Sequence, residues 1–216
     1  MAGQAQAVIQ SVIAKIDSGA LIPGAAIDEE ALTVELDVSQ TPIREALLKL
    51  EARGLVQRAP RKGAVIFKPT IREFLSIMEV HAKLEGQAAG LAARRLSAER
   101  RSALEAAVRA CEQHHRVLGD SAPDAYYQLN MAFHYTVAEA SGNAFLLDTI
   151  TASARRLIAY YRARYRFAGS IAASAVEHRS IATAILDGDS AQAEAEMAAH
   201  VQLDQMTALD LLTIFE

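Results

Sequence analysis

The chain has 216 residues and a net charge of −4, and its 51% hydrophobic and 22% charged residues allow a sizeable core and argue against disorder. No stretch approaches the roughly 18 consecutive apolar residues of a membrane span, and no basic segment leading into an apolar run marks a secretory signal. The single cysteine, Cys111, cannot form an internal disulfide, so we expect a protein of the reducing cytoplasm.

Two helices are predicted at the start of the chain. Apolar residues at helical spacing across residues 8–16 make one stripe, and Gly19 is placed to end that helix. Asp28 can cap the free amides of a second, short helix that runs to about Leu36. Acidic residues in its first turn suit the positive end of the helix dipole.

A third helix is predicted after a short break at residues 37–39. Thr41 can cap it, Pro42 suits the first helical position because no amide partner is needed there, and apolar residues up to Leu50 supply a buried stripe. Two helices joined by about three residues, the second with a basic first turn, form the arrangement that places a helix in the major groove of DNA.

Two short strands are predicted next, at residues 55–56 and 64–67, and the basic tip between them at residues 59–63 is typical of a wing. Across residues 40–68 seven basic residues stand against two acidic ones. Such a local excess can contact a polyanion even in an acidic protein. The alternatives are a solvated basic face, or a winged helix used for protein contacts.

The string from Ser39 to Leu47 has the form S-x-T-P-[VI]-R-E-A-L, and with its neighbours it resembles the GntR family of winged-helix regulators over residues 1–68. The resemblance implies a DNA-binding transcription regulator in which Arg44 reads guanine and Gly63 lets the wing approach the minor groove. The residues expected to bind DNA are Ser39, Gln40, Thr41, Arg44, Lys49, Arg61, Lys62 and Gly63.

Two positions depart from the family pattern. Members often have arginine where this chain has Gln40, and frequently another where it has Glu30. Glutamine suits adenine better than guanine, and a carboxylate would repel a nearby phosphate. We therefore expect an operator sequence that differs from the familiar ones.

Residues 69–216 show almost uninterrupted helical periodicity, broken only by short polar or glycine-containing segments. Six helices without strands predict an all-α antiparallel six-helix bundle. The expected fold class is therefore mainly α: a winged helix-turn-helix of three helices and a small β-hairpin, followed by this bundle. The predicted helices of the bundle cover residues 71–96, 98–117, 123–140, 144–167, 171–186 and 190–212.

Four residues of the bundle could form a metal site. Asn130 and His134 lie four apart and share one helix face, while His178 and His200 come from the fifth and sixth helices of the bundle. Imidazoles converging from three helices, completed by an amide or carboxylate oxygen, make a metal site. Spacing alone is a weak signal, because a lone histidine on a helix is more often an ordinary core or surface residue.

The same residues lie in stretches that resemble the FCD effector domain, the usual companion of the FadR and VanR branches of the GntR family. These stretches are Asn130–His134, Ala140–Asn143, Glu177–Ile181 and Met197–His200. In its metal-binding members an aspartate and three histidines hold zinc, nickel or manganese, and a small carboxylate effector binds against that metal. Here Asn130 replaces the aspartate, which favours the imidazole-loving ions zinc or nickel. The alternative is that the histidines contact the effector without a metal.

His81 stands where the family usually has an arginine that points into the ligand cavity, so we expect it to bind the effector. Arg155 and Arg156 could supply positive charge for a carboxylate, or could lie on a solvated face. His114 and His115 are interpreted as surface residues, because adjacent helical side chains point in different directions and do not chelate together.

These patterns predict a homodimeric, ligand-responsive transcription regulator, in the simplest case a repressor, rather than an enzyme. Two-fold symmetry suits pseudo-palindromic operators. One alternative is a histidine-ligated metal enzyme with an accessory DNA-binding domain. Against it, no carboxylate is spaced as an obvious base beside the histidines, and Glu177 is interpreted as only a sequence neighbour. The other alternative is a direct metal sensor, in which the cation itself is the signal.

Overall fold

A computed structural model describes residues 2–202, which form two compact units that divide between Thr70 and Ile71. In this part of the chain the first unit has three helices and a two-stranded hairpin and the second has six helices, so the predicted fold class is confirmed. The elements are α1 (Ala2–Ser18), α2 (Glu29–Leu36), α3 (Gln40–Ala52), β1 (Val56–Ala59), β2 (Gly63–Ile66), α4 (Ile71–Arg95), α5 (Ala98–Leu118), α6 (Pro123–Ala140), α7 (Ala144–Arg164), α8 (Ser170–Asp187) and α9 (Ser190–Val201).

The first unit is held together by an apolar core between α1 and α3. Val8, Val12 and Ile16 form the buried stripe of α1, and Ile43 and Leu47 lie in that of α3, each with at most 1% of its surface exposed. Residues three or four apart share one face of a helix, so each stripe turns the opposite, polar face outward. The packing of α1 on α3 therefore fixes which residues of α3 can reach a partner.

The two short helices of this unit begin differently. The predicted cap of α2 is confirmed, because the Asp28 carboxylate accepts a hydrogen bond from the Ala31 amide at 2.8 Å. The predicted cap of α3 is wrong. Ser39, rather than Thr41, takes the N-cap position, and its side chain makes no capping hydrogen bond. An exposed Ser39 hydroxyl is thus left at the start of α3, within reach of solvent.

The hairpin is antiparallel, with Val56 opposite Ile66 and Ala59 opposite Gly63, so β1 runs further towards the tip than the sequence predicts. Residues 24–27 add a short third segment beside β2, in which the Ile27 amide donates to the Ala64 carbonyl at 2.9 Å. The sequence did not predict this segment, because it is too short to show an alternating pattern.

The second unit is organised around α4, which packs against α6, α7, α8 and α9. Its closest neighbour is α9, and two glycines of α4 allow the close approach. A Cβ atom at Gly86 would lie 2.8 Å from the Glu194 carbonyl oxygen, and one at Gly90 would lie 3.0 Å from the Glu194 carboxylate. Small residues at this contact bring α9, and His200 on it, against the centre of the bundle.

The predicted helix boundaries in the second unit agree with the structure to within about three residues, apart from the last. α7 ends at Arg164 rather than Phe167. α9 ends at Val201, and Gln202 has an extended backbone. The remainder of the predicted last helix, residues 203–212, lies outside the described residues. No helix within residues 2–202 is long and apolar enough to cross a membrane.

Candidate functional site

In the first unit, all eight residues expected to bind DNA are exposed at the first turn of α3, on its outer face, or at the hairpin tip. Three of their cations, Arg44, Arg61 and Lys62, make no ion pair with any other described residue. Lys49 differs, because its ammonium lies 2.6 Å from the Glu45 carboxylate one turn earlier. A phosphate contact by Lys49 would have to compete with this pair.

The tip of the hairpin carries backbone strain at a basic residue. Arg61 has a φ of 64°, in the left-handed region that costs a non-glycine residue about 1–2 kcal/mol. Gly63 has a φ of 70°, which glycine adopts at no such cost. The Lys62 amide donates to the Ala59 carbonyl at 3.2 Å and closes the turn. The turn therefore presents two exposed cations side by side.

In the second unit, three histidines from three helices meet. His134 of α6, His178 of α8 and His200 of α9 are each at most 8% exposed. The Nε2 atom of His200 lies 3.1 Å from that of His178 and 3.2 Å from that of His134. One nitrogen from each ring lies within 4.8 Å of the other two, a spacing compatible with three ligands on one metal ion.

Packing orients the rings of this cluster. Phe133, which is fully buried beside His134 in α6, stacks on the His178 ring with the centroids 4.0 Å apart. The rings of His134 and His200 lie nearly parallel, with their centroids 5.2 Å apart. Because α8 packs on α9, His178 and His200 approach each other edge to face. Each of the three imidazoles thus has an aromatic or imidazole ring packed against it.

Two carboxylates face the outer nitrogens of the cluster, so the interpretation of Glu177 as only a sequence neighbour is wrong. The Nδ1–H of His200 donates to Glu177 at 2.6 Å. Glu85 of α4, which the sequence analysis missed, lies 3.3 Å from His134 Nδ1, an ion-pair distance without hydrogen-bond geometry. Its side chain is 2% exposed. Glu85 could not be found from spacing, because it stands 49 positions before His134 and on another helix.

The positions of the protons follow from these contacts. A neutral imidazole carries a single N–H, and the carboxylate beside Nδ1 of His200 places it there. His134 makes no such hydrogen bond, but the negative charge of Glu85, 3.3 Å from its Nδ1 atom, favours the proton on that nitrogen. Both Nε2 atoms then present lone pairs to each other across 3.2 Å. A cation between them would relieve this repulsion, and carboxylate–histidine pairs of this kind orient ligands in metal sites.

The pKa values of His178 and His200 favour their neutral forms. Burial lowers the pKa of His200 to about 4, although its hydrogen bond to Glu177 acts in the opposite direction. Burial also takes the pKa of His178 well below its ordinary value, and the neighbouring His200 adds to that shift. For Glu85, burial raises the pKa, but the nearby histidines outweigh it and hold the value below the ordinary one. A neutral imidazole is the form that binds a metal ion.

Asn130 lies one turn before His134 and is 4% exposed. Its Oδ1 atom accepts a hydrogen bond from the Tyr165 hydroxyl at 2.8 Å, which orients the amide and leaves the oxygen a second lone pair. The candidate donor set is therefore three imidazoles and the amide oxygen of Asn130, which lines the same cavity as His134. That set fits zinc or nickel better than the hard ions that prefer several carboxylates.

A small cavity adjoins the cluster. It is lined by His81, Glu85, Asn130, Met131, His134, Ala154, Tyr161 and Val201. Its free space is about 20 Å³, which is on the order of one water molecule. His81 thus lies at the cavity, whereas Arg155 and Arg156 are half-buried on α7 and do not line it. Arg164, which the sequence analysis did not single out, donates instead to the His200 carbonyl at 3.2 Å.

One interpretation of histidine is corrected outside the cluster. His115 is exposed as expected, but His114 is buried and its Nε2 contacts the Ser121 carbonyl at 3.1 Å. His114 also packs edge-on against Tyr126. α5 packs on α6, and a carbonyl of the loop between the two helices gives the buried His114 ring a polar partner. His114 therefore has a structural role in this contact.

Comparison with known proteins identifies the chain. The family described as bacterial regulatory proteins, gntR family, matches residues 4–66, and the FCD domain matches residues 76–203. The chain belongs to the GntR family. This GntR protein is 29% identical to the transcriptional regulator LutR of Bacillus subtilis, over 86% of the chain and 92% of the relative. It is 28% identical to the Nta operon transcriptional regulator of Aminobacter aminovorans, over 83% of the chain and 82% of the relative.

A solved structure supports the fold of this GntR protein over its whole length. The chain matches Escherichia coli McbR/YncC with a TM-score of 0.80 and 20% identity, covering 99% of each chain. The family and these relatives are transcription regulators and not enzymes. The protein is therefore a DNA-binding transcription regulator of the GntR type with an FCD domain.

Proposed function

We propose that this regulator binds its operator as a homodimer through α3 and the hairpin tip, and that its second unit holds a divalent metal at which a small carboxylate acts as effector. The observation that carries the metal site is the convergence of three buried imidazole nitrogens within 4.8 Å. The proposal assigns residues 1–68 to DNA binding and residues 69–216 to effector binding.

The DNA contacts are assigned by exposure and charge. Arg44 lies on the outer face of α3 and can reach two acceptors of one guanine with its two-pronged guanidinium. Ser39, Gln40 and Thr41 sit at the exposed first turn, where hydroxyl and amide groups can contact bases or phosphates. Arg61 and Lys62 supply the cations of the wing, and Lys49 contributes once it leaves Glu45.

The metal would be held by His134, His178 and His200, with the Asn130 oxygen as the fourth protein donor. When bound, it supplies a Lewis acid to which a carboxylate oxygen can coordinate. Glu177 holds the Nδ1 proton of His200 through a hydrogen bond, and the charge of Glu85 favours the Nδ1 proton of His134, so that both Nε2 atoms remain available. Zinc or nickel is the expected ion.

The regulatory step is a change in operator affinity when the effector binds. Coupling between two sites of one protein is typically about 1–3 kcal/mol. We propose repression that the effector relieves. A homodimer matches a pseudo-palindromic operator, because each protomer then reads one half-site.

Elemental analysis tests the metal site first. The protein is purified without chelator and without a histidine tag, and the His178→Ala variant is prepared in parallel. We expect about one zinc or nickel per wild-type chain and a clear loss in the variant. Absence of metal after incubation with zinc, nickel and manganese would refute the site and leave the histidines to contact the effector directly.

A direct metal sensor is the second candidate, and the small cavity favours it, because about 20 Å³ admits a water molecule but no organic acid without rearrangement. Operator duplexes selected from a random pool separate the two. If zinc alone changes operator affinity severalfold, the cation is the signal. If zinc-loaded protein responds only after an organic acid is added, the effector is organic.

A further inference from the structure

One oxygen of the buried Glu85 side chain has no hydrogen bond. Glu85 is 2% exposed and lines the small cavity beside the histidines, and its Oε2 atom lies 3.3 Å from His134 Nδ1 without the geometry of a hydrogen bond. A buried charged group is expected to be paired and hydrogen-bonded, because desolvation is costly otherwise. Its other oxygen lies 3.5 Å from His81 Nε2. Beyond its ion-pair contact with His134, the Glu85 Oε2 atom therefore retains the capacity to accept a hydrogen bond from a ligand in the cavity.

The other walls of the cavity do not balance that charge. None of its eight lining residues is a lysine or arginine. His81, the one basic side chain apart from the cluster itself, already contacts the Ser153 hydroxyl through Nδ1 at 2.7 Å. The remaining wall is mostly apolar, with Met131, Ala154 and Val201. The Glu85 carboxylate thus lies beside Nδ1 of His134, whereas the proposed metal would lie at Nε2, on the other edge of the same ring.

The charge of a ligand decides its fit to such a cavity. A second carboxylate beside Glu85 would be repelled strongly, because charges interact more strongly in a buried site than in water. An ammonium would instead donate a charge-assisted hydrogen bond to the free oxygen. The Glu85 carboxylate and the proposed metal therefore select opposite charges on one molecule.

We propose that the effector is a small zwitterion, an amino acid whose ammonium group binds Glu85 and whose carboxylate lies at the histidine cluster. This inference rests on the proposed metal site, since the metal supplies the positive charge that attracts the carboxylate. Because the free space is about 20 Å³, the ligand must displace lining side chains. Met131, an unbranched and half-buried side chain, is the wall residue that can move at the lowest cost.

The test compares matched acids on the zinc-loaded, full-length protein by isothermal titration calorimetry. The three acids of a set share one carboxylate and one spacer length. They differ only at the far end, which is an ammonium, a methyl group or a second carboxylate. The sets are glycine, propionate and malonate; β-alanine, butyrate and succinate; and 4-aminobutyrate, valerate and glutarate. Zinc content is measured after each titration, so that loss of metal to the ligand is recognised.

In at least one set, we expect the amino acid to bind about tenfold or more tightly than both the methyl and the dicarboxylate member. Glu85→Gln removes the charge with little change of shape and is expected to bring the three members of that set within about threefold of each other. Glu85→Asp keeps the charge and should retain the preference for the amino acid, which separates loss of charge from damage to the fold.

Other outcomes overturn the inference. If the dicarboxylate binds wild-type protein as tightly as the amino acid, or if no amino acid of the series binds, the Glu85 oxygen does not receive an ammonium. If Glu85→Gln weakens zinc binding but the wild type shows no charge preference, Glu85 only positions His134. Failure of the wild-type protein to bind zinc at all is a separate result, which removes the proposed metal site itself.

Discussion

The two units of this GntR regulator place their polar side chains in opposite ways. In the first unit, the residues proposed to bind DNA are exposed, and the buried side chains that the structure describes there are apolar. In the second unit, three histidines, Asn130 and Glu85 are buried together in the bundle. The proposed DNA-binding residues of the first unit thus lie on the surface of an apolar core. The candidate metal site of the second unit lies within the core itself.

This difference determines how each unit responds to substitution. A surface contact can be changed without loss of fold, since exposed positions usually alter stability by less than about 0.5 kcal/mol. In the second unit the same residues serve packing and binding, because Phe133 stacks on His178 while Glu85 contacts His81 and His134. Stability and ligand binding should therefore separate in the first unit and remain linked in the second.

The largest expected effect is the loss of stability caused by a substitution in the apolar core of the first unit. Leu47 is fully buried between α3 and α1, and Leu47→Ala should lower the free energy of unfolding by about 2–5 kcal/mol through lost contacts and a cavity. Leu48→Ala, at a neighbouring position that is 59% exposed, is the control. Chemical denaturation measures both. Zinc binding by Leu47→Ala should remain, and a parallel loss of zinc would show that the two units do not fold independently.

The second prediction concerns the buried histidines. His200→Ala removes one of three proposed ligands and should weaken zinc binding by more than about a hundredfold, beyond the loss expected for a residue that only orients a ligand. A hundredfold excess of zinc over its dissociation constant stabilises a folded protein by about 2.7 kcal/mol, so the thermal shift caused by zinc should disappear as well. His115→Ala, at an exposed histidine of α5, should behave as the wild type. Equal zinc binding by both variants would contradict the site.

The third prediction tests whether binding and stability separate on the surface. Arg44→Ala should cost about 1–3 kcal/mol of operator binding and relax the preference at one base pair. Its unfolding transition should not move, because Arg44 is exposed and makes no ion pair within the described residues. Arg72→Ala removes the same charge from α4 and serves as the control in fluorescence anisotropy. Identical losses in the two variants would mean that only net charge matters.

The same contrast explains what the sequence could predict. The reading helix and wing follow from local signals: an apolar stripe at helical spacing, turn residues and a short family motif. The histidines were predicted from the resemblance to the FCD domain, and the structure brings them together. Neither signal predicts Glu85, whose role depends on α4 lying against α6 and α9, a contact made through glycines of α4. His114 was misinterpreted for a related reason, because its partner is a carbonyl of the next loop.

The smallest expected effect comes from charged groups on the surface of the second unit. There, as on the surface of the first unit, substitutions should change stability little. Glu112 and Arg179 form a two-pronged ion pair between α5 and α8, and this hydrogen bonding lowers the pKa of Glu112. A lowered pKa means that the stabilisation is present above the ordinary pKa of glutamate and is lost as the pH falls through the folded value.

Since both side chains are partly exposed, Glu112→Gln should cost at most about 1 kcal/mol near neutral pH. The difference from the wild type should vanish in acid and shrink in high salt, as denaturation curves at several pH values would show. Glu105→Gln, at a weaker pair with Arg109, is the control. If Glu112→Gln instead lowered the free energy of unfolding by several kcal/mol, surface ion pairs would contribute to stability as much as the buried carboxylates. The second unit would then not divide into a surface that tolerates substitution and a polar core that does not.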